Sequence, residues 1–400
     1  MEPAFACETY RFLVACVRSL FDDSARIAST AADQSPVAWD SLLALARENR
    51  VDVLLLHGLQ LRGVQAVPRE VLAALDAYER QNRARNDASV EMLVRILGKL
   101  AERAIPCLVF KGPIVARAYP DPGMRFYWDL DLLVPREQLA GVHEALLPLG
   151  YERDALSPRE ERLYMRYHFA HTYCSTGTGP DIDVHWRLFP SSFPIPVDYT
   201  ALRSRAEPAE IGGVRTRTFS REDMLVYLAL HGAKEEWRRL QMVADVAAIL
   251  SAEPSIDWER CLRIADVCRA RRKVLLALSL AKELLGGTVP SQLMPALGSD
   301  PMVVVLTADV IRRQQRLTER ATSIFRYSRW RMLSFEHPVD RARYCWRTIS
   351  APRLEHLAIV DLPMLPLAAY VPIRLVHDYV AIPLRDWSRR SMRKFGDRLP

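Results

Sequence analysis

No Cys-x-x-Cys pair occurs among the seven cysteines, which are odd in number and scattered along the chain. This argues against a zinc ribbon or a disulfide framework and fits reduced thiols in a cytoplasmic protein. The N-terminus, MEPAFACETYRFL, has an acid at position 2 and no basic stretch ahead of an apolar run. A secretory leader is therefore not expected. No internal repeat at solenoid periods and no low-complexity segment is found. The apolar segment 357–384 carries four prolines, and its longest uncharged stretch, Leu362–Ile373, is 12 residues. A spanning helix needs ~20. Basic charge is also missing where a nucleic-acid groove would need it. Of the net +7, residues 301–400 hold 18 Lys+Arg against 9 Asp+Glu, leaving 37 against 39 in the first 300. Nucleic acid is not an expected partner.

What is present suffices for two or three modules: 400 residues, half of them hydrophobic. Thr9–Phe21 and Ser41–Arg62 place apolar residues at helical spacing. Pro68 fits the first turn of a long amphipathic run ending near residue 105. In that run Arg80, Arg83 and Arg85 read as a solvated face, with phosphate contact the alternative. From 107 onward short strands alternate with helices. Cys107–Phe110 reads as a buried strand, and Lys111-Gly112-Pro113 as a turn opening a helix. A Pro/Gly loop carries Arg125, and a second strand bears Asp129 and Asp131. Gln138–Leu149 reads as a helix ended by Gly150. Tyr167–Cys174 and Asp181–Arg187 are further strands, and Glu207–Thr218 is a hairpin about Gly212-Gly213. Ser220 with Asp223 three residues on has a capping-box pattern. The helix it opens carries His231 and Lys234, and the next carries Asp245. Ile256–Ala270 and Arg272–Leu285 complete a bundle closed by Gly286-Gly287. Ile311–Ser350 is Arg-rich and helical in period.

The expected fold is α+β, a small mixed β-sheet core flanked by N-terminal helices and a C-terminal helical bundle. Its regions are 1–105 (helical), 106–219 (core), 220–300 (bundle completing a cleft) and 301–400 (basic, Pro-interrupted, apolar). The tail 357–400 reads as a hydrophobic strip covering the bundle. A peripheral contact with the inner face of the membrane, backed by Arg385, Arg389, Arg390, Arg393, Lys394 and Arg398, is the alternative.

Strand side chains alternate faces, so Asp129 and Asp131 point one way, roughly 7 Å apart, and Leu130 and Leu132 the other. In DIDVHWR, likewise, Asp181, Asp183 and His185 share one face and Ile182, Val184 and Trp186 the other. Phosphoryl and nucleotidyl transfer need divalent cations held by several carboxylates on neighbouring strands. Asp129 and Asp131 supply two, and Asp183 is the natural third. A triphosphate needs amides and positive charge: Gly112 at a helix start, Lys111 as a point charge, Arg125 as a forked contact. His231, on a largely apolar helix, fits an interior histidine more readily than a substrate contact. Lys234, one turn on, could reach a phosphate. Asp245 among apolar neighbours reads as buried and paired, with Arg239 or Lys234.

The pieces LVFKGPIVARAYPDPGMRFYWDLDLLV, IDVHWRLF and FSREDMLVYLALHGAKEEWRRLQMVADVAAIL, with IDWERC after them, resemble an uncharacterised nucleotidyltransferase family of the DNA polymerase β-type superfamily. The resemblance runs from about Leu42 to Pro290. It implies Asp129 and Asp131 as a metal-binding pair, Asp183 as the third acid, and Lys111, Gly112 and Arg125 at the nucleotide. His185, His231, Lys234 and Asp245 match recurrent polar positions. The superfamily's Gly-Gly or Gly-Ser turn is here Lys111-Gly112-Pro113, one amide short. The expected activity is transfer of an NMP group from an NTP such as ATP to an acceptor, with pyrophosphate release. A two-metal Mg²⁺ site is implied, Mn²⁺ being the alternative ion. The acceptor is a small molecule, saccharide, peptide or protein. The competing readings are a nucleotide-binding scaffold without turnover and a toxin-like or RNA-directed nucleotidyltransferase.

Overall fold

The structure is a computed structural model and describes residues 3–27, 37–64, 67–252, 256–315, 324–359 and 369–381. The basic cluster from Arg385 to Arg398 and the apolar stretch 360–368 lie outside the described residues.

The N-terminal helices are α1 (Pro3–Arg18), α2 (Ser24–Ile27), α3 (Trp39–Asn49), α4 (Asp52–Leu61) and α5 (Arg69–Glu102). The periodic run Ser41–Arg62 is two helices, because Arg50 adopts the left-handed conformation at φ 57°. The N–H of Val51 returns to the Ala46 carbonyl at 2.9 Å, a Schellman closure that is ordinarily built on glycine. Pro68 is the N-cap of α5, one residue outside the first turn. Along α5, Leu93, Ile96 and Leu100 are buried in the core.

The sheet region follows as β1 (Leu108–Phe110), α6 (Gly112–Ala116), β2 (Asp129–Leu133), α7 (Leu139–Leu146), β3 (Tyr151–Glu152), α8 (Pro158–Tyr167), β4 (Ala170–Ser175), β5 (Asp181–His185), α9 (Tyr199–Arg205), β6 (Glu207–Ile211) and β7 (Val214–Thr218). Strand order in the mixed sheet is β1-β2-β5-β4-β3. β1 runs antiparallel to β2, β2 parallel to β5, and β3 antiparallel to β4. One sheet face, with Val109, Leu130, Leu132, Ile182 and Val184, packs on Leu93 and Ile96 in a single core. β6 and β7 form the expected hairpin, with Gly212 and Gly213 at φ 53° and 79°. Two consecutive left-handed residues are what a tight hairpin turn demands.

The helical part comprises α10 (Arg221–Lys234), α11 (Leu240–Ala252), α12 (Trp258–Val267), α13 (Arg271–Leu285), α14 (Met294–Ser299), α15 (Pro301–Gln315) and α16 (Ile324–Ser334), then α17 (Pro338–Ser350), α18 (Leu354–Ile359) and α19 (Tyr370–Val376). Ser220 caps α10, its Oγ accepting from the Asp223 N–H at 3.2 Å. The reciprocal arm of a capping box is replaced, since the Asp223 carboxylate takes both arms of Arg205 at 2.8 Å. No single described helix is long and apolar enough to cross a membrane.

Two compact units emerge. One holds the described residues of 1–153, 171–187 and 195–337, and so contains the sheet face that carries Asp129, Asp131 and Asp183 and helices α10 to α16. The other gathers the described residues of 154–170, 188–194 and 338–381. Inside the second, Tyr370 is fully buried with Leu163 and Leu357, and Arg159 stands over its ring at 5.0 Å.

Candidate active site

The parallel register of β2 on β5 sets Asp129 beside Asp181, Asp131 beside Asp183 and Leu133 beside His185. Alternation does the rest: the leucine, isoleucine and valine side chains between them go to the core, and the acids and His185 share the opposite face. Ligand atoms of Asp131, Asp183 and His185 all lie within 4.8 Å of one another.

Asp131 is the most enclosed of the acids. Its Oδ1 accepts from Lys111 Nζ at 3.3 Å and faces His185 Nε2 at 3.0 Å. Burial works to raise its pKa, but Lys111 and the His185 hydrogen bond outweigh that and hold it below the usual carboxylate range. Asp129 goes the other way. Burial pushes its pKa up, and the charges of Asp131 and Asp183 add to the push, with Lys111 opposing. Lys111 itself loses solvation on burial. The charges of Asp131, Tyr227 and Asp129 more than offset this, so its ammonium is held above the ordinary lysine range. Asp183 accepts from Thr172 Oγ1 at 2.6 Å, which fixes the carboxylate from β4. The His185 ring is fixed from both ends, with Nδ1 3.3 Å from the Arg187 carbonyl and Phe110 edge-on at 5.1 Å.

Lys111 and Gly112 sit at the end of β1 with φ 55° and 31°. Lys111 thus carries a conformation rare for a residue with a side chain, the kind of strain that structures keep at functional sites. A Cβ on Gly112 would only touch the Asp129 carbonyl at 3.5 Å, so backbone conformation, not crowding, selects glycine here.

Arg125 is placed differently from a free phosphate fork. Its guanidinium grips Asp245 through Nε at 2.7 Å and Nη2 at 2.8 Å, with Nη1 3.3 Å from the Gly112 carbonyl. Tyr119 donates to the same carboxylate at 2.7 Å. Asp245 is therefore buried and paired as expected, but its partners are Arg125 and Tyr119, not Arg239 or Lys234. The reason is topological: Asp245 faces the loop before β2, which α5 also clamps. Asn82 Nδ2 donates to Gly123 O at 2.7 Å and Asn86 Nδ2 to Arg125 O at 3.0 Å. Both asparagines are buried, and neither carries a sequence signal beyond polarity.

From α10, Tyr227 lies against Phe110 and 5.9 Å below Lys111 Nζ. The His231 pKa is held well below its ordinary value, first by burial and then by the charges of Lys111, Lys234, Arg125 and Arg238. A neutral imidazole thus sits among cations. Lys234 Nζ lies 3.2 Å from Glu235 Oε1. Arg50, absent from the sequence-based set, joins this rim. Asp129 is the carboxylate that acts most strongly on it, and Arg238 the like charge that does so.

Residues 35–286 match the family described as uncharacterised nucleotidyltransferase. The chain belongs to that family. It is accordingly a transferase of nucleotidyl groups, and the match takes in α3 and α4 as well as the sheet and α10 to α13. No curated protein matches the sequence. Among solved structures, the antibiotic-resistance factor ANT(2'')-Ia in solution is 15% identical, with 48% of this chain and 96% of that chain covered at a TM-score of 0.33. The crystal structure of ANT(2'')-Ia in complex with adenylyl-2''-tobramycin is 16% identical over 46% and 97% at 0.32. An antigenic nucleotidyltransferase-like protein from Paracoccidioides brasiliensis is 15% identical over 53% and 97% at 0.29.

Proposed function

We propose that this nucleotidyltransferase moves an NMP group from a nucleoside triphosphate to an acceptor hydroxyl or phosphate, releasing pyrophosphate, with divalent cations held by Asp129, Asp131 and Asp183. The observation that carries the reading is the β2–β5 register. It gathers Asp129, Asp131 and Asp183 on one face, where burial and then the charges of the other two acids raise Asp129, and a cation relieves such a cluster. The all-oxygen donors of the three acids suit Mg²⁺ or Mn²⁺, so the residues fit the ion. Bound there, the ion would neutralise the triphosphate and align the attacking oxygen.

The side chains have separable tasks. Asp183, steadied by Thr172, is the base that takes the acceptor's proton. His185 and Lys111 hold Asp131 in place. Lys234 and the neutral His231 approach the phosphates from α10, where an uncharged imidazole can donate or accept a hydrogen bond without altering the charge balance. Arg125, buried against Asp245, serves the nucleotide through Gly112, whose carbonyl it holds. The test is pyrophosphate release from radiolabelled NTPs with Mg²⁺ and a cell extract as acceptor source. The wild-type chain labels an acceptor, and a folded Asp129→Asn, Asp131→Asn double variant does not. Full activity in that variant would sink the mechanism.

A further inference from the structure

Arg50 ends α3 in the left-handed conformation, at φ 57° and ψ 40°, closing a Schellman motif. Glycine fits that position without strain, so an arginine there pays a conformational cost that its side chain must justify. The side chain does not go to a carboxylate. Its guanidinium carbon lies 4.9 Å from the centre of the Phe126 ring, and that of Arg85 lies 4.8 Å from the same ring. Arg85 also stands 5.4 Å from Trp128, which is half exposed, and its Nη1 donates to Asn82 Oδ1 at 3.2 Å. Among the described residues neither arginine has an ion-pair partner. Two guanidinium groups are thus held on one aromatic ring, three residues before Asp129, the carboxylate whose charge acts most strongly on Arg50.

The loop that carries Phe126 is rigidly held, which makes this a built surface. Gln241 donates to the Phe126 carbonyl, and Asn82 and Asn86 grip Arg125 from the other side. The charges of Lys111, Lys234, Arg125 and Arg238 all act on His231, and those of Arg238 and Arg125 act on Arg50 as well. Of these cations, Lys111 stands at the end of β1 and Lys234 in the last turn of α10. Asp183, the acid assigned to the acceptor, lies on the far neighbour of β2, held by Thr172.

We propose that Arg50, backed by Arg85 on the Phe126 ring, binds the triphosphate tail of the nucleotide, so that the N-terminal helices supply part of the nucleotide site. This rests on the nucleotidyl-transfer reading above. It gives the family match over α3 and α4 a physical meaning, because those helices then carry a substrate contact and are not a mere lead-in. A guanidinium fork on a polyphosphate makes paired, charge-assisted hydrogen bonds that a lysine cannot reproduce.

Isothermal titration with inorganic tripolyphosphate in Mg²⁺, and competition with ATP, tests the assignment in the full chain. Arg50→Gly is the informative variant, because glycine relaxes the left-handed turn and the melting temperature is expected to hold or rise. Tripolyphosphate and ATP are expected to bind roughly 10- to 100-fold more weakly to Arg50→Gly, a loss on the scale of a charge-assisted bond. Arg50→Lys should recover only part of the affinity, and adenosine should bind both variants as it binds the wild type. Unchanged tripolyphosphate affinity in Arg50→Gly overturns the assignment while leaving nucleotidyl transfer standing. Tripolyphosphate that binds without competing with ATP assigns the arginines to a different anion and overturns it too. If the wild-type chain binds neither ATP nor tripolyphosphate, the nucleotide reading itself falls, and the assignment with it.

Discussion

Among the described residues two clusters could hold a metal by geometry alone, Asp131-Asp183-His185 and His356-His377-Asp378. They differ in how their lone pairs and charges are spent. In the second cluster one carboxylate serves everything. Asp378 Oδ1 faces His356 Nε2 at 3.0 Å and His377 Nδ1 at 2.9 Å, and Oδ2 accepts from Arg374 Nε at 3.3 Å. His356 Nδ1 accepts the Arg353 N–H at 2.9 Å, so the ring proton must sit on Nε2 and point at Asp378. A metal there would displace that proton and meet the charge of Arg374. Burial pushes the Asp378 carboxyl up, but the His356 and His377 hydrogen bonds prevail and lower its pKa. The first cluster has the opposite balance. Asp129, Asp131 and Asp183 crowd one face with Lys111 as the cation on Asp131, and Asp129 is raised first by burial and then by the charges of Asp131 and Asp183. One cluster is saturated and the other is short of positive charge. That distinction, not ligand spacing, separates a structural knot from the site proposed above.

The sharpest way to break this comparison is to neutralise an acid in each cluster. Asp131→Asn is expected to lower pyrophosphate release by about 10³-fold or more, since it removes charge complementarity at the reacting centre. Asp378→Asn should leave turnover within about twofold but lower stability by about 1–3 kcal/mol in a denaturant melt, because its ionised form is the one the histidines stabilise. By the linkage sign, that stability is present above the ordinary carboxyl pKa and is lost as pH falls through the lowered one. Asp129, raised, has the reverse sign. In chelator, Asp129→Asn should not lower the melting temperature at neutral pH and should raise it.

A second contrast lies in the ion pairs behind the site. Arg125 and Asp245 are a fully enclosed forked pair. Removing one partner strands a buried charge, so Asp245→Asn should cost about 3–5 kcal/mol. Glu236 is smaller in effect and informative through pH. It follows α10 at φ 56°, with Arg313 at 3.2 Å and Arg331 at 3.1 Å. Burial still lifts its pKa from 4.5 to about 7, with Arg331 and Arg313 opposing. A raised carboxyl contributes stability that is complete below 4.5 and lost as pH rises through about 7. Glu236→Gln is therefore expected to flatten stability against pH in that window, by up to about 3 kcal/mol, as read from melts at each pH.

Where the sequence was legible, short-range periodicity carried the information. Alternation along DLDLL and DIDVH sorts Asp129, Asp131 and Asp183 from the core residues between them, and the hairpin about Gly212-Gly213 is local chemistry. What stayed hidden depends on distant partners. Asp245 meets Arg125, and Asn82 and Asn86 meet the loop around Gly123, across separations no local pattern reports. Arg50 was invisible because the helix break it makes lacks the glycine that usually marks one. Helix α8 and the unit it forms with α18 and α19 were missed for a related reason. That unit is assembled from three separate stretches of chain.

Mn²⁺ binding followed by electron paramagnetic resonance on the full chain tests the central claim most directly, comparing wild type, Asp131→Asn and Asp378→Asn. The account predicts that tightly bound Mn²⁺, strengthened by added ATP, survives Asp378→Asn and disappears in Asp131→Asn. Mn²⁺ that persists in Asp131→Asn and is lost in Asp378→Asn would contradict it.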